Sequence, residues 1–323
     1  MIPEEVLRVA EDIREMRVRG ASRIARAAVE ALLLAAEKYQ GSDPGDFALY
    51  MRRVAEVLVS TRPTAVTLPN AVNYVVSALR GARGSVEELR GLVVERCRSF
   101  ISYIDSALDR IAEIGSRVLS SGDVVLTHCN SLAAIKVIAR AHERKGLSRV
   151  YATETRPRFQ GLTTYRMLSQ AGVEVVLIPD SAVRYVMGEV DKVVVGADAI
   201  AANGAVVNKI GTSLIALAAR EKGVDFYVAA ETYKFSPYTL IGELVEIEER
   251  EASEVVPADL LAKHPLLSVR NPAFDVTAPE YVTGIITELG VFPPAAAALV
   301  LREMYRSEPG AEAPALVRGV EEE

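Results

Sequence analysis

"DVVLTHCNSLAAIKVIARAHERKGLSRVYAT", residues 123–153, reads as a strand, a helix and a second strand. The β-rich runs "DVVLTH" and "RVYAT" flank "SLAAIKVIARAHERKG", a helical stretch that Ser131 is placed to cap. The rhythm repeats downstream: "VEVVLIP", "KVVVGAD" and "DFYVAA" are further β-rich runs, and "TSLIALAAREKG" is a further helical stretch. Strand and helix alternating at this spacing predict right-handed βαβ units and a parallel sheet covered on both faces. The uninterrupted Val193, Val194 and Val195 suit a strand buried on both sides.

Upstream the rhythm is different. Val6, Val9, Ile13 and Met16 keep helical spacing, and Ile24, Ala28, Ala31 and Leu32 restart it after "VRGAS". Further helices are expected over roughly 45–60, 70–80 and 85–118, punctuated by Gly20 and by Arg62-Pro63. The expected fold is therefore α/β: a helical N-terminal domain, 1–118, followed by a doubly wound, mainly parallel, Rossmann-like domain, 119–323.

Composition narrows the function. The chain has 323 residues, half of them hydrophobic, and no run of 18 uncharged apolar residues, so no membrane span is expected. The charged, amphipathic start "MIPEEVLRVAEDIREM" is unlike a signal peptide. Two cysteines cannot make a disulfide framework, which points to a reducing cytoplasm. A net charge of −6 does not favour nucleic acid, so an anionic small ligand needs local cations. Lysine is scarce, 8 against 29 arginines, so a lysine beside a motif carries information. The 6 asparagines and 3 glutamines are few, a bias that suits a thermophile.

In open α/β sheets ligands gather outside the carboxyl ends of the strands. Cys129 follows the first strand there and Asp198 follows "KVVVG". A free cysteine is most often a small buried hydrophobe. A metal site is disfavoured, because no CxxC occurs and the histidines are scattered at 128, 142 and 264. Side-chain alternation places His128 and Cys129 on different sides, against a Cys–His pair. "AIAANGAVVNKIGTS" reads as a long connection turning at Gly204 and Gly211, and it delivers Asn208 and Lys209 just before a helix near Thr212. "ETYKFSP" sets Lys234 at the same sheet edge, where a solvated lysine is the ordinary alternative. Cys97, in "VVERCRSF", is expected to pack.

Taken together, "THCNS", "ETRPRFQG", "GADAIAANGAVVNKIGT" and "YVAAETYKFSP" resemble the superfamily of aldose-phosphate isomerases and regulatory subunits of translation initiation factor 2B. "RGAS", "TRPTAV" and "NPAFDVTAPEYVTGIITELG" extend the similarity over nearly the whole chain. Within the superfamily, the sequence most resembles the archaeal enzymes of nucleotide salvage that isomerise ribose 1,5-bisphosphate. That resemblance implies a reactive Cys129, an acidic Asp198 and sugar-bisphosphate contacts from Arg19, Gly20, Ala21, Ser22, Arg62, Ser131, Leu132, Ala133, Asn208, Lys209 and Lys234. It also implies activation by AMP and a homohexamer built from dimers, with no metal or organic cofactor required. Two alternatives are an isomerase of methylthioribose 1-phosphate, whose neutral thioether suits Lys234 poorly, and a non-catalytic regulatory subunit, which has no need of both Cys129 and Asp198. The chemistry asks burial to keep Asp198 protonated, and asks cations and a helix N-terminus to favour the Cys129 thiolate.

Overall fold

The structure, a computed structural model, describes residues 1–306 except Arg19, Thr64, Gly242 and Glu243. Contacts divide the chain into two compact units, Met1–Ser106 with the described residues from Leu301 onward, and Ala107–Val300. No described helix is long and apolar enough to cross a membrane.

The first unit is built from α1 (Glu4–Arg14), α2 (Ala21–Lys38), α3 (Pro44–Val59), α4 (Thr67–Val76) and most of α5 (Val86–Gly115). Helix α2 buries Ile24, Ala28, Ala31 and Leu32, the residues its spacing predicts. Helix α1 stops earlier than its pattern suggests. Met16 takes a left-handed φ of 59°, and the Arg17 and Val18 amides turn back to donate to the Asp12 carbonyl. Asp43 caps α3 by accepting from the Asp46 amide at 2.8 Å, with Pro44 at the first helical position.

The second unit alternates strands and helices: β1 (Val124–Thr127), α6 (Leu132–Lys145), β2 (Arg149–Thr153), α7 (Gln160–Gln170), β3 (Val175–Ile178), α8 (Val183–Val186) and β4 (Lys192–Gly196). After these come β5 (Ala199–Ile200), β6 (Val206–Lys209), α9 (Thr212–Lys222), β7 (Asp225–Ala229), α10 (Ala258–Lys263), β8 (Phe274–Thr277), β9 (Gly284–Thr287), β10 (Gly290–Phe292) and the start of α11 (Ala297–Arg306), whose described residues from Leu301 belong to the first unit. The main sheet has seven strands in the order β10-β9-β7-β4-β1-β2-β3 and is parallel except for β10. Ile135, Val137, Ile138 and Ala141 of α6 pack with Leu168 of α7 onto Val125, Val150 and Val194 of the sheet. The doubly wound expectation is met.

This strand order places the site. The chain runs outward from β1 through β2 to β3 and then crosses back to lay β4 on the other side of β1. The gap beyond the ends of β1 and β4 is thus the topological switch point, where a crevice opens. Gly196 lets the two ends approach, since a Cβ there would lie 2.3 Å from Ser131 Oγ.

The long connection after Asp198 turns at Gly204 as expected, but it carries strands that the sequence did not signal: β5 and β6 form a hairpin, and β8 joins it as a second, antiparallel sheet. Gly204 makes the turn at φ 86°. Asn208 and Lys209 therefore stand on a strand, paired with Asp275 and Phe274.

Helix α7 meets β2 so closely that a Cβ on Gly161 would lie 1.8 Å from the Thr153 carbonyl oxygen. Backbone cannot yield as a flexible side chain can, so Gly161→Ala should lower stability by about 1–3 kcal/mol. Chemical denaturation of the two proteins would measure this.

Candidate active site

Strand β1 ends at Thr127, and two residues later Cys129 adopts a left-handed backbone with φ 64°. Two threonines hold the turn. The Cys129 amide donates to Thr155 Oγ1 at 3.0 Å, and Thr164 Oγ1 donates to the Cys129 carbonyl at 2.6 Å. Thr155 is itself left-handed, with its amide donating to Asp180 Oδ1 at 2.8 Å. Ser131 then caps α6, accepting from the Ala134 amide at 3.3 Å as the sequence predicts. Leu132 and Ala133 open that helix with their side chains turned into or against the core, so a ligand contact from them is limited to backbone N–H groups.

His128 is buried, and both ring nitrogens have partners other than the thiol. Its Nε2 lies 2.9 Å from the Ile210 carbonyl, which only accepts, so Nε2 carries the proton and Nδ1 accepts from Thr153 Oγ1 at 2.5 Å. Thr153 Oγ1 lies 3.2 Å from Thr155 Oγ1. A continuous chain of polar groups thus ties the cysteine turn to the segment that enters α9. Burial drives the His128 pKa down to about 4, so the ring is neutral at ordinary pH.

The thiol of Cys129 is half-buried and feels the charges of Lys209, Asp198 and Arg250. Burial outweighs the cations and raises its pKa to about 11. The expected thiolate is therefore not the resting form, because Lys209 and Arg250 pull down less than burial and the Asp198 charge push up. Asp198 follows β4, with its amide donating to the Val207 carbonyl at 2.9 Å. Lys209 is about 5 % exposed; its ammonium donates to the Ala273 carbonyl at 2.7 Å and sits 4.6 Å from the Phe274 ring centre. Among the described residues no carboxylate pairs with it, and burial lowers its pKa. An ammonium so enclosed, with no carboxylate partner among the described residues, is one that a nearby anion would stabilise.

Asn208 is also buried, with its amide donating to Thr212 Oγ1 at 3.0 Å. Lys234 is not the solvated lysine of the ordinary alternative. It is about 5 % exposed in a turn after β7 and lies 2.9 Å from Glu231 Oε2. Gly20, Ala21 and Ser22 form the start of α2 in the helical unit, with Gly20 at φ 90°. Arg62, in the same unit, donates to Met16 Sδ at 3.1 Å, so the turns before α2 and α4 meet. Arg19 lies outside the described residues. Cys97 is fully buried, and burial pushes its thiol up to about 12. Among the described residues no group of three His, Cys, Asp or Glu side chains is arranged to hold a metal ion.

The sequence reading missed Arg250, Glu231 and Asp275. Asp275, from β8, accepts from the Gly211 amide at 2.8 Å and from the Ser213 hydroxyl at 2.8 Å, so the N-terminus of α9 is already occupied by a carboxylate. "NPAFDVT" carried the signal for Asp275, since an aspartate in a β-rich run calls for a buried partner.

A switch-point crevice with a cysteine, an aspartate and a buried lysine defines a Rossmann-like protein built to handle a small anionic ligand. The model of the Initiation factor 2 subunit family matches residues 17–294, and the chain belongs to that family. It is 56% identical over 300 residues, 93% of each chain, to the ribose 1,5-bisphosphate isomerase of Archaeoglobus fulgidus. It is 48% identical over 308 residues to the ribose 1,5-bisphosphate isomerase of Thermococcus kodakarensis, covering 94% of this chain and 96% of that one. Among solved structures it resembles a Pyrococcus horikoshii translation initiation factor eIF-2B, with a TM-score of 0.77 and 34% identity over 90% of this chain and 98% of the other.

The buried histidine makes stability depend on pH. Its folded pKa, about 4, lies below the ordinary 6.5, so the unfolded chain binds the extra proton between those values. Stability should be full above pH 6.5 and fall by roughly 3 kcal/mol as the pH drops to 4. Denaturation midpoints across that range should flatten in His128→Gln; an equal slope in both proteins would remove His128 as the cause.

Proposed function

We propose that the chain is an aldose–ketose isomerase that converts ribose 1,5-bisphosphate to ribulose 1,5-bisphosphate by proton transfer through an enolate. The observation that carries this reading is the meeting of Cys129, Asp198 and the buried, unpaired Lys209 at one switch point. The two isomerase relatives, matched over nearly their full lengths, support it.

A phosphate on the anomeric oxygen blocks opening of the sugar to a free aldehyde. Asp198, as the acid, protonates the ring oxygen as it leaves C1. Cys129, as thiolate, removes the C2 proton and leaves an enol with the phosphate on O1. The proton returns from Cys129 to C1 while the Asp198 carboxylate takes the C2 hydroxyl proton, so C2 becomes the ketone and both residues regain their starting states. Moving the thiol proton onto Asp198 before reaction makes both partners ready at once. It also removes the carboxylate charge that holds the thiol up, leaving Lys209 and Arg250 to stabilise the thiolate and then the enolate.

Lys234 reads the 5-phosphate, and Ser131, Leu132, Ala133 and Asn208 line the sugar. Arg19, Gly20, Ala21, Ser22 and Arg62 belong to the helical segment 1–118, which acts as an accessory to the catalytic segment 119–323. The same reading extends to activation by AMP, a homohexamer of dimers, a cytoplasmic setting, a thermophilic archaeal host and a place in nucleotide salvage. The regulatory-subunit alternative leaves the paired Cys129 and Asp198 without a task. The methylthioribose alternative sets a neutral group against Lys234, a buried cation.

Cys129→Ser and Asp198→Asn should each lower turnover of ribose 1,5-bisphosphate by about 10²-fold or more, with circular dichroism unchanged. Cys97→Ser, at a buried packing position, should leave turnover nearly intact. Folded Cys129 and Asp198 variants with normal rates would remove the mechanism. Lys234→Ala should weaken binding of the bisphosphate more than that of ribose 1-phosphate, as measured by calorimetry; equal loss for both would separate Lys234 from the 5-phosphate.

A further inference from the structure

We infer that Arg250 is an anion ligand of this site, closing with Lys209 on the substrate phosphate nearest the reacting carbons. The inference deepens the isomerase reading and rests on it.

Arg250 belongs to an irregular segment tied to the strand region ahead of β8. Its amide donates to the Asn271 carbonyl at 2.9 Å, and the Ala273 amide donates to the Glu248 carbonyl at 2.8 Å. A few residues on, Glu254 pairs with Arg158, anchoring the segment to the loop after β2. The segment therefore spans from the β8 side to the β2 side, and Arg250 stands at its β8 anchor.

The ordinary reading of Arg250 is a surface ion pair with Glu248, whose Oε1 accepts from its Nε at 3.1 Å. Three observations oppose it. The side chain is only 10% exposed. Its terminal Nη groups donate to no acceptor among the described residues, although guanidinium carries five donors. Its Cζ lies 5.8 Å from the Phe274 ring centre, the ring that Lys209 Nζ approaches to 4.6 Å. Two cations with unused donors thus converge on one aromatic platform beside the thiol. Glu248 and Asp198 oppose them electrostatically at Lys209. Once Asp198 is protonated for its acid role, two cations face one carboxylate, and a phosphate restores the balance. The free Nη fork matches two phosphate oxygens, while the Nε–Glu248 bond fixes its plane.

The test reads binding apart from turnover. Iodoacetamide alkylation of Cys129 is followed by peptide mass in the full-length protein, across pH and with increasing inorganic phosphate. Phosphate should protect the wild type, and Arg250→Gln should raise the half-protecting concentration about tenfold or more. The same variant should move the pH midpoint of alkylation upward. Arg250→Lys keeps the charge without the fork, so it should hold the midpoint near wild type yet still lose protection. With ribose 1,5-bisphosphate, both variants should raise KM by a larger factor than they lower kcat. Absence of phosphate protection in the wild type, or equal protection in folded Arg250→Gln, overturns the inference. If Arg250→Gln does not fold, unchanged protection in Arg250→Lys overturns it instead. Failure of the isomerase reading shows differently, as no turnover by the wild type while phosphate protection still depends on Arg250.

Discussion

A cysteine held at φ 64° carries strain, because its Cβ crowds the neighbouring carbonyl by about 1–2 kcal/mol. The chain keeps this conformation because Thr155 and Thr164 bind the amide and carbonyl of that residue from opposite sides. Everything else in the site is arranged around that turn. It lets β1 end and α6 begin within a few residues, with Ser131 at the cap and the thiol directed at the charges beyond β4. His128 extends the constraint by binding Thr153 on one side and the Ile210 carbonyl on the other. A neutral imidazole suits both bonds, donating from Nε2 to the Ile210 carbonyl and accepting at Nδ1 from the Thr153 hydroxyl.

The geometry creates an electrostatic demand. With a thiol pKa of about 11, only about one molecule in 10⁴ carries the thiolate at pH 7 if nothing else changes. The cations present lower the thiol but do not overcome its burial. In the proposed mechanism a proton taken up by Asp198 removes the one charge among its neighbours that raises the thiol, so acid and base would be readied by the same transfer. The two residues follow adjacent parallel strands, β1 and β4, so side chains from separate connections come close enough to feel one another's charge.

The parallel sheet, the helical start and the placement of Cys129 and Asp198 were legible because they rest on local pattern. Val193–Val195 and the α6 spacing encode burial directly. The β5–β6–β8 sheet was hidden, since its third strand comes 64 residues after Ile210 and nothing local signals that pairing. Arg250 was hidden for a related reason: one arginine among 29 carries no signal until the fold sets it against Phe274. The resting state of Cys129 also escaped sequence reasoning. The sign of a thiol's pKa shift depends on the balance of burial and charge, which only the packed site determines.

Lys234 shows how the fold settles a choice that sequence left open. Its ammonium is buried against Glu231, a carboxylate with no exposed surface that also accepts from the Tyr233 hydroxyl at 3.0 Å. The adjacent Thr232 amide and hydroxyl bind Glu288, so the whole turn is pinned from two carboxylates. Glu231 thus offsets the burial of the lysine when no ligand is present and fixes where its remaining donors point. A phosphate can share such an ammonium with the carboxylate, whereas a neutral group leaves those donors desolvated and unsatisfied. Under the proposed function, specificity for a charged end would arise from what the uncharged competitor fails to satisfy, with the carboxylate holding the lysine in place.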